Sequence, residues 1–215
     1  MQAQLSPTGF SWQQANDPTV LSEVFAPEHS VVVWERQKNE LIEHYFMEQY
    51  SSLGIRLREV FNIQSLKAGL RDVLPDANGK ELLIEDIYLL SDMLTCLFDC
   101  EQVGVRLTPM EQAMCPRFHA DNIPVRLVCT YVGNGTQWIP NERVGDLEQN
   151  VADSKRHQPL AKRQWHKDDI QQMNAFDVAL LKGSAWGHSD HFGAIHRSCP
   201  MEAGEQRVLL TLDPM

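Results

Sequence analysis

The strongest constraint on the fold is a change in hydrophobic spacing near residue 103. Before this point most apolar residues recur at the spacing of amphipathic helices, apart from one short β-type run at residues 31–34. After it, they occur in short alternating or β-branched runs separated by turns and polar stretches. A series of short strands is typical of a sandwich, jelly roll or barrel. We predict strands at residues 103–107, 125–132, a short run through Trp138, 178–182, 194–198 and 206–212.

Three helices are predicted in the first half of the chain. Residues 39–50 and 80–100 each carry an apolar stripe at helical spacing. Residues 66–74 form a third such segment, which ends before Pro75. Such apolar stripes are typical of helices that pack against a core. We therefore expect the first half of the chain to be a scaffold that supplies no metal ligands.

The charge balance argues against nucleic acid as the main partner. The 215 residues carry a net charge of −10, whereas phosphate binding needs a basic surface. The acidity is uneven, since residues 1–107 carry −8 and residues 108–215 carry −2. The length fits one domain rather than two, and no apolar run is long enough to span a bilayer.

The cysteines favour a reducing compartment. Their number, five, is odd and their spacing does not repeat, which is unlike a disulfide framework. The first residues lack the basic and apolar pattern of a signal peptide. We therefore expect a cytoplasmic protein with no membrane or nucleic-acid partner, whose substrate is a small molecule or a protein side chain.

The motif Phe118-His119-Ala120-Asp121 carries the clearest chemical signal. Alternate residues of a strand point to one face, about 6.6 Å apart along the chain. The imidazole of His119 and the carboxylate of Asp121 would therefore project toward one point. Alone, this spacing is weak evidence because chance supplies it often.

Two residues near the end of the chain strengthen this signal. His196 lies in an apolar-flanked strand segment, and Arg207 follows eleven residues later. A hairpin between their strands would make them neighbours, and the turn Gly133-Asn134-Gly135 predicts a second hairpin. Two histidines and one carboxylate leave half of the positions of an octahedral metal open, as in the facial triad of non-haem Fe(II) oxygenases. A nearby arginine offers a permanently charged fork for a carboxylate.

With these residues the sequence resembles the Fe(II)/2-oxoglutarate-dependent oxygenases. Their pattern is H-x-D, a distal histidine and a basic residue about ten positions further on, all on a double-stranded β-helix. The resemblance implies that Fe(II) is held by His119, Asp121 and His196. It also implies that 2-oxoglutarate binds through Arg207 and that a substrate C–H bond is hydroxylated with O₂.

Two positions depart from the pattern of that superfamily. Phe176 occupies the place of the glycine in the G-D turn that precedes the strand before the distal histidine. Leu209 stands where several relatives have a serine or threonine that assists the arginine. Thr211 shares a strand face with Arg207 and is the expected substitute contact for 2-oxoglutarate.

A closer resemblance covers most of the chain. Residues 115–121 (CPRFHAD), 131–136 (YVGNGT) and 196–200 (HRSCP) resemble an uncharacterised bacterial group, domain-of-unknown-function family 1826. We predict a single α+β domain, residues 1–215. Its mainly helical N-terminal layer, residues 1–107, is expected to cover a double-stranded β-helix core (jelly-roll, cupin-like) at residues 108–215.

Other metal sites and functions stay open at this point. Cys115, His119, His196 and Cys199 also have the residue types and the sequence spacing of the ligands of a closed zinc site. The triad itself can take up zinc in place of iron. The chain would then be a non-enzymatic jelly-roll metal-binding module, or a cupin-type metalloenzyme that does not use 2-oxoglutarate.

Two nearby features have an open role. His188 and His191 are rivals of His196 as ligands, although their glycine- and serine-rich surroundings favour an exposed loop. The basic stretch 155–167 is either a solvated loop or a lid that attracts an acidic substrate.

Overall fold

Strands dominate the part of the chain that the computed structural model describes, which is residues 11–53, 57–144, 164–187 and 193–215. Within these ranges ten strands form two sheets. The strands are β1 (Trp12–Ala15), β2 (Val31–Trp34), β3 (Leu57–Asn62), β4 (Gln102–Met110), β5 (Val125–Val132), β6 (Gln137–Ile139), β7 (Gln171–Gln172), β8 (Val178–Lys182), β9 (Ile195–Arg197) and β10 (Arg207–Pro214).

The larger sheet has seven strands in the order β1-β2-β8-β5-β10-β4-β3, and the smaller has the order β7-β6-β9. All neighbours are antiparallel except β1 and β2, which are parallel. Buried side chains of both sheets, such as Val128 and Ala179 from the larger and Trp138 from the smaller, form one apolar cluster. The fold is the predicted double-stranded β-helix of jelly-roll type.

Both predicted hairpins are wrong. β5 and β6 lie in different sheets, as do β9 and β10, so each connection carries the chain from one sheet to the other. Gly133-Asn134-Gly135 is therefore a crossing between sheets rather than a hairpin turn. Turn composition reports local backbone conformation, and it does not say which strand the chain pairs with next.

Three α-helices cover the larger sheet, close to where the sequence predicts them: α1 (Glu40–Gln49), α2 (Leu66–Val73) and α3 (Lys80–Phe98). Short 3-10 helices lie at Pro18–Phe25, Tyr50–Ser52 and Lys167–Asp169. The side chain of Asn39 caps α1 by accepting hydrogen bonds from the amides of Leu41 and Ile42. Among the described residues, no helix is long and apolar enough to cross a membrane.

The two faces of the larger sheet have different neighbours. On β10, Val208, Leu210 and Leu212 are fully buried in the core that includes the helices. The alternate residues Leu209 and Thr211 point to the other side, where they border a cavity. Strand alternation therefore separates a scaffold face from a cavity face.

Strands from the first half of the chain belong to the same sheet. β1 and β2 extend one edge and β3 forms the other, so the sheet continues well into residues 1–107. Residue 107 itself lies inside β4. Helices and sheet are thus interleaved along the sequence, although they form separate layers in space.

Phe176 has the left-handed backbone conformation expected of the glycine that it replaces, with φ of 70°. Hydrogen bonds hold this conformation from both sides, because its amide donates to the carbonyl of Thr130 and its carbonyl accepts from Arg36 Nε. Its ring is buried, and the ring centroid lies 5.4 Å from that of Tyr131. Ring burial therefore offsets backbone strain of about 1–2 kcal/mol.

Substitutions at Phe176 should separate the stabilisation by ring burial from the cost of the left-handed backbone conformation. We expect Phe176→Ala to lower the free energy of unfolding by about 3–5 kcal/mol. Phe176→Gly should be about 1 kcal/mol more stable than the alanine variant, since glycine relieves the left-handed strain. Urea denaturation measures both. At the control position Phe46, a buried ring inside α1, the order should reverse because glycine is the poorer helix former.

Candidate metal centre

His119 and His196 meet across a pair of backbone hydrogen bonds. The His119 amide donates to the His196 carbonyl at 3.0 Å, and the His196 amide donates to the His119 carbonyl at 2.9 Å. This bridge joins the His119 segment to β9 of the smaller sheet. The imidazole centroids are 4.6 Å apart. Two residues far apart in sequence are thus neighbours on one face.

Asp121 completes the cluster. Its Oδ1 lies 3.6 Å from His119 Nε2, and its Oδ2 lies 3.8 Å from His196 Nε2. One ligand atom from each of the three residues lies within 4.8 Å of the others. The structure therefore brings together the three residues that the sequence singled out, and their separation leaves room for a metal ion.

Both histidines are oriented through their other ring nitrogen. Nδ1 of His119 donates to the carbonyl of Arg117, and Nδ1 of His196 donates to the carbonyl of Ala194, each at 2.9 Å. A carbonyl can only accept, so Nδ1 carries the proton in both rings. Nε2 is then free to ligate, which is the outer-shell arrangement of metal-binding histidines.

The pKa shifts of Asp121 and His196 favour the protonation states that a metal ligand needs. Burial by itself would raise the pKa of Asp121, but the interactions with His119, His196 and Arg126 outweigh it and lower the pKa to about 2. Burial lowers the pKa of His196, which favours the neutral imidazole. The contact with Asp121 raises the pKa of His119 against the effect of burial.

Arg126 links Asp121 to the larger sheet. Its Nη1 donates to Asp121 Oδ2, while its Nε and Nη2 donate to Asp213 at 2.7 and 3.0 Å. The arginine extends from β5 and the second carboxylate belongs to β10, so two strands hold the orientation of the Asp121 carboxylate. Arg126 was not predicted from the sequence, although the alternation of side chains along β5 places it on the cavity face.

Gly183 lets the end of β8 approach the segment that carries Asp121. Its amide donates to the Pro124 carbonyl at 2.7 Å, and the next amide, of Ser184, donates to the Asp121 carbonyl at 2.8 Å. A Cβ at this position would lie 1.9 Å from the Ile123 carbonyl oxygen and 2.7 Å from that of Asp121. Only glycine permits this close approach.

The substitution Gly183→Ala should therefore displace Asp121. We expect the affinity for Mn(II), a redox-inert probe of the site, to fall by about tenfold or more, measured by isothermal titration calorimetry. Gly104→Ala is the control, because its Cβ would have no contact closer than 3.7 Å. Equal affinity in the two variants would show that the approach of β8 does not position Asp121.

An open cavity lies beside the triad. Thr211, the expected cosubstrate contact, borders this cavity, and so does Leu209. Arg207 does not border the cavity itself. Its Nη2 donates at 3.0 Å to the hydroxyl of Thr136, which does border the cavity.

Arg207 is nonetheless suited to an anion. Its side chain is buried, and within the described residues its Nε and Nη1 have no hydrogen-bond partner. Nη2 donates to the hydroxyls of Thr130 and Thr136 at 3.1 and 3.0 Å, and burial lowers the pKa of the guanidinium. A buried cation with unused donors is costly unless an anion satisfies it.

The two threonines were not predicted from the sequence. Thr130 shares strand parity with Arg126 on β5, which could have indicated its face, but Thr136 lies in the crossing to β6 and gives no such signal. Of the alternative zinc ligands, Cys199 donates through Sγ to the carbonyl of Asn134 and is not part of the triad cluster. Cys115 borders the cavity.

Several predicted features lie outside the described residues. These are His188, His191 and the basic stretch as far as residue 163. The remainder of that stretch is described from residue 164 onward. There Trp165 packs against Phe118, with ring centroids 5.9 Å apart.

The fold and the site define the class of this chain: a double-stranded β-helix protein with a His-Asp-His cluster beside an open cavity. The chain belongs to the family described as "Protein of unknown function (DUF1826)", whose model matches residues 15–213. This confirms the family predicted from the sequence motifs. No curated protein matches the sequence significantly.

Three solved structures are examples of those whose fold is similar to that of this chain. Apo HygX from Streptomyces hygroscopicus has 10% identity and a TM-score of 0.48, covering 86% of this chain and 82% of HygX. AtDAO1, dioxygenase for auxin oxidation 1 from Arabidopsis thaliana, was solved with 2-oxoglutarate; it has 9% identity, a TM-score of 0.47 and coverages of 83% and 73%. A Pseudomonas putida prolyl-4-hydroxylase has 11% identity, a TM-score of 0.44 and coverages of 90% and 95%.

Proposed function

We propose that the protein is a mononuclear non-haem Fe(II)/2-oxoglutarate-dependent oxygenase. The observation that carries this proposal is the convergence of two free imidazole Nε2 atoms and one ionised carboxylate beside an open cavity. Three ligands on one side leave the remaining positions of an octahedral metal open. A closed structural site would instead use all of its positions for protein ligands.

The donor set fits iron. His119, Asp121 and His196 would hold Fe(II), with both rings oriented by the carbonyls that accept from Nδ1. When bound, Fe(II) supplies the redox chemistry by which O₂ oxidises a substrate C–H bond, with 2-oxoglutarate as the co-reductant. The chain's own task is to orient these ligands and to bind the reactants.

Arg207 would bind the distal carboxylate of 2-oxoglutarate. Its two unpartnered nitrogens can donate to that carboxylate, while the hydroxyls of Thr130 and Thr136 hold Nη2 in place. Thr136 and Thr211 border the cavity and would contact the cosubstrate between Arg207 and the metal. Because Leu209 carries no hydroxyl, Thr136 takes the assisting role that the superfamily pattern assigns to a serine or threonine.

The direct test is turnover of 2-oxoglutarate. We expect the protein loaded with Fe(II) to form succinate from 2-oxoglutarate only when O₂ is present, measured by mass spectrometry. His196→Ala should weaken Fe(II) binding by on the order of 100-fold, because it removes one of three ligands. His44→Ala, which removes an exposed histidine of α1, is the matched control and should bind iron normally.

A substitution at Arg207 distinguishes an effect on cosubstrate binding from an effect on metal binding. Arg207→Lys keeps the charge but loses the planar fork, so the KM for 2-oxoglutarate should rise about tenfold or more while the affinity for Fe(II) is unchanged. A parallel loss of both affinities in Arg207→Lys would indicate a folding defect and would contradict a specific cosubstrate role.

One observation favours a second candidate. Among the described residues, Arg207 does not border the cavity and is linked to it through Thr136, which also fits a cupin-type metalloenzyme that does not use 2-oxoglutarate. Iron binding without any measurable affinity for 2-oxoglutarate would favour this candidate. Zinc held by four protein ligands would instead favour a non-enzymatic binding module.

A further inference from the structure

Arginine side chains give the cavity a charge opposite to that of the whole protein. The described residues around it include one acidic side chain, Asp121, and four arginines: Arg58, Arg106, Arg126 and Arg197. The chain as a whole carries a net charge of −10. A concave basic site on an acidic protein concentrates positive potential at one place, which raises the local concentration of anions.

These arginines differ in how far their charge is neutralised. Arg126 is paired with both Asp121 and Asp213. Arg106 shares Asp213 with it, through a hydrogen bond of 2.9 Å. The Nε of Arg197 donates to an uncharged amide, that of Gln137, at 2.9 Å. The exposed side chain of Arg58 makes no hydrogen bond or ion pair with any described residue.

Arg58 and Arg106 form a pair. They are directly opposite each other in the antiparallel pairing of β3 and β4, and both border the cavity. Opposite residues of antiparallel strands have Cβ atoms about 4.5–5.5 Å apart, and like charges at such positions are destabilising. An oxyanion between the two guanidinium groups would remove this repulsion and would accept bidentate hydrogen bonds.

Protection of a sheet edge explains only part of this arrangement. β3 is the edge strand, and a charged residue there hinders pairing with another chain. That function needs one charge on β3, which Arg58 alone would supply. Arg106 on β4 has an ion pair with Asp213, but edge protection gives no reason to place the unpaired charge of Arg58 directly opposite another arginine. The pair on the cavity face therefore points to a ligand.

We propose that the substrate carries a phosphate or carboxylate group, which binds between Arg58 and Arg106. This inference rests on the proposed function, and the site is separate from Arg207, which would hold the cosubstrate. Arg106 is connected to the metal-ligand carboxylate through Asp213 and Arg126. The anionic end of the substrate is thus anchored at one side of the cavity that holds the triad.

The test is anion binding to the metal-free protein, without 2-oxoglutarate. Inorganic phosphate and citrate are the two probes, one for each class of oxyanion, titrated by calorimetry. We expect saturable binding of at least one probe, weaker at high salt, and an affinity about tenfold lower in Arg58→Gln. Arg58→Gln should fold normally because the side chain is exposed and makes no hydrogen bond or ion pair with the described residues.

Two further variants make the result specific. Arg71→Gln removes an exposed arginine of α2 that does not border the cavity, and it should bind as the wild type does. Arg207→Lys identifies an anion that occupies the proposed cosubstrate site instead, because such binding would depend on Arg207 and not on Arg58. As an independent readout, the preferred probe should raise the melting temperature of the wild type and not that of Arg58→Gln.

Three results would overturn the proposal: no binding of either probe to the wild type, unchanged affinity in Arg58→Gln, or loss of binding in Arg207→Lys alone. The experiment contains no metal, cosubstrate or O₂, so its outcome is independent of succinate formation. Anion binding without succinate formation would contradict the oxygenase proposal and leave the anion site standing. Succinate formation without anion binding would leave the oxygenase proposal standing and would overturn the anion site.

Discussion

The seven-stranded sheet has two different faces, and the rest of the structure depends on this difference. Because side chains alternate along each strand, Val208, Leu210 and Leu212 of β10 join the core with the helices. The residues between them border the cavity. A shift of one residue in the pairing of β10 would turn Leu209 and Thr211 toward the helices and turn the three core residues toward the cavity. Burial against the helices therefore holds the cavity face in register.

The triad depends on contacts that both sheets supply. The bridge between His119 and His196 belongs to the smaller sheet, whereas Arg126, which holds the Asp121 carboxylate, extends from the larger. Gly183 at the end of β8 brings the Asp121 segment close to the larger sheet. The site is thus preorganised by elements that are distant in sequence, which is how a binding site acquires fixed geometry.

The helices and most strands could be predicted, since their spacing is a local property of the chain. The short strands β1, β3 and β7 were missed because they carry little apolar alternation of their own. The N-terminal half, predicted as scaffold without ligands, also supplies Arg58 and Arg106 to the cavity. Charge summed over half a chain says nothing about where individual side chains come together.

The sequence by itself singled out His119, Asp121 and His196, which lie together in the structure, and it predicted the family. The strand spacing from which His119 and Asp121 were paired is not present, because residues 120 and 121 follow an isolated bridge at His119 and lie outside any strand. Tertiary structure alone decided that β9 and β10 lie in different sheets and that Arg207 contacts Thr130 and Thr136. The reason is physical. Alternation along a strand follows from the covalent chain, whereas the choice of partner strand and register follows from long-range hydrogen bonding and packing.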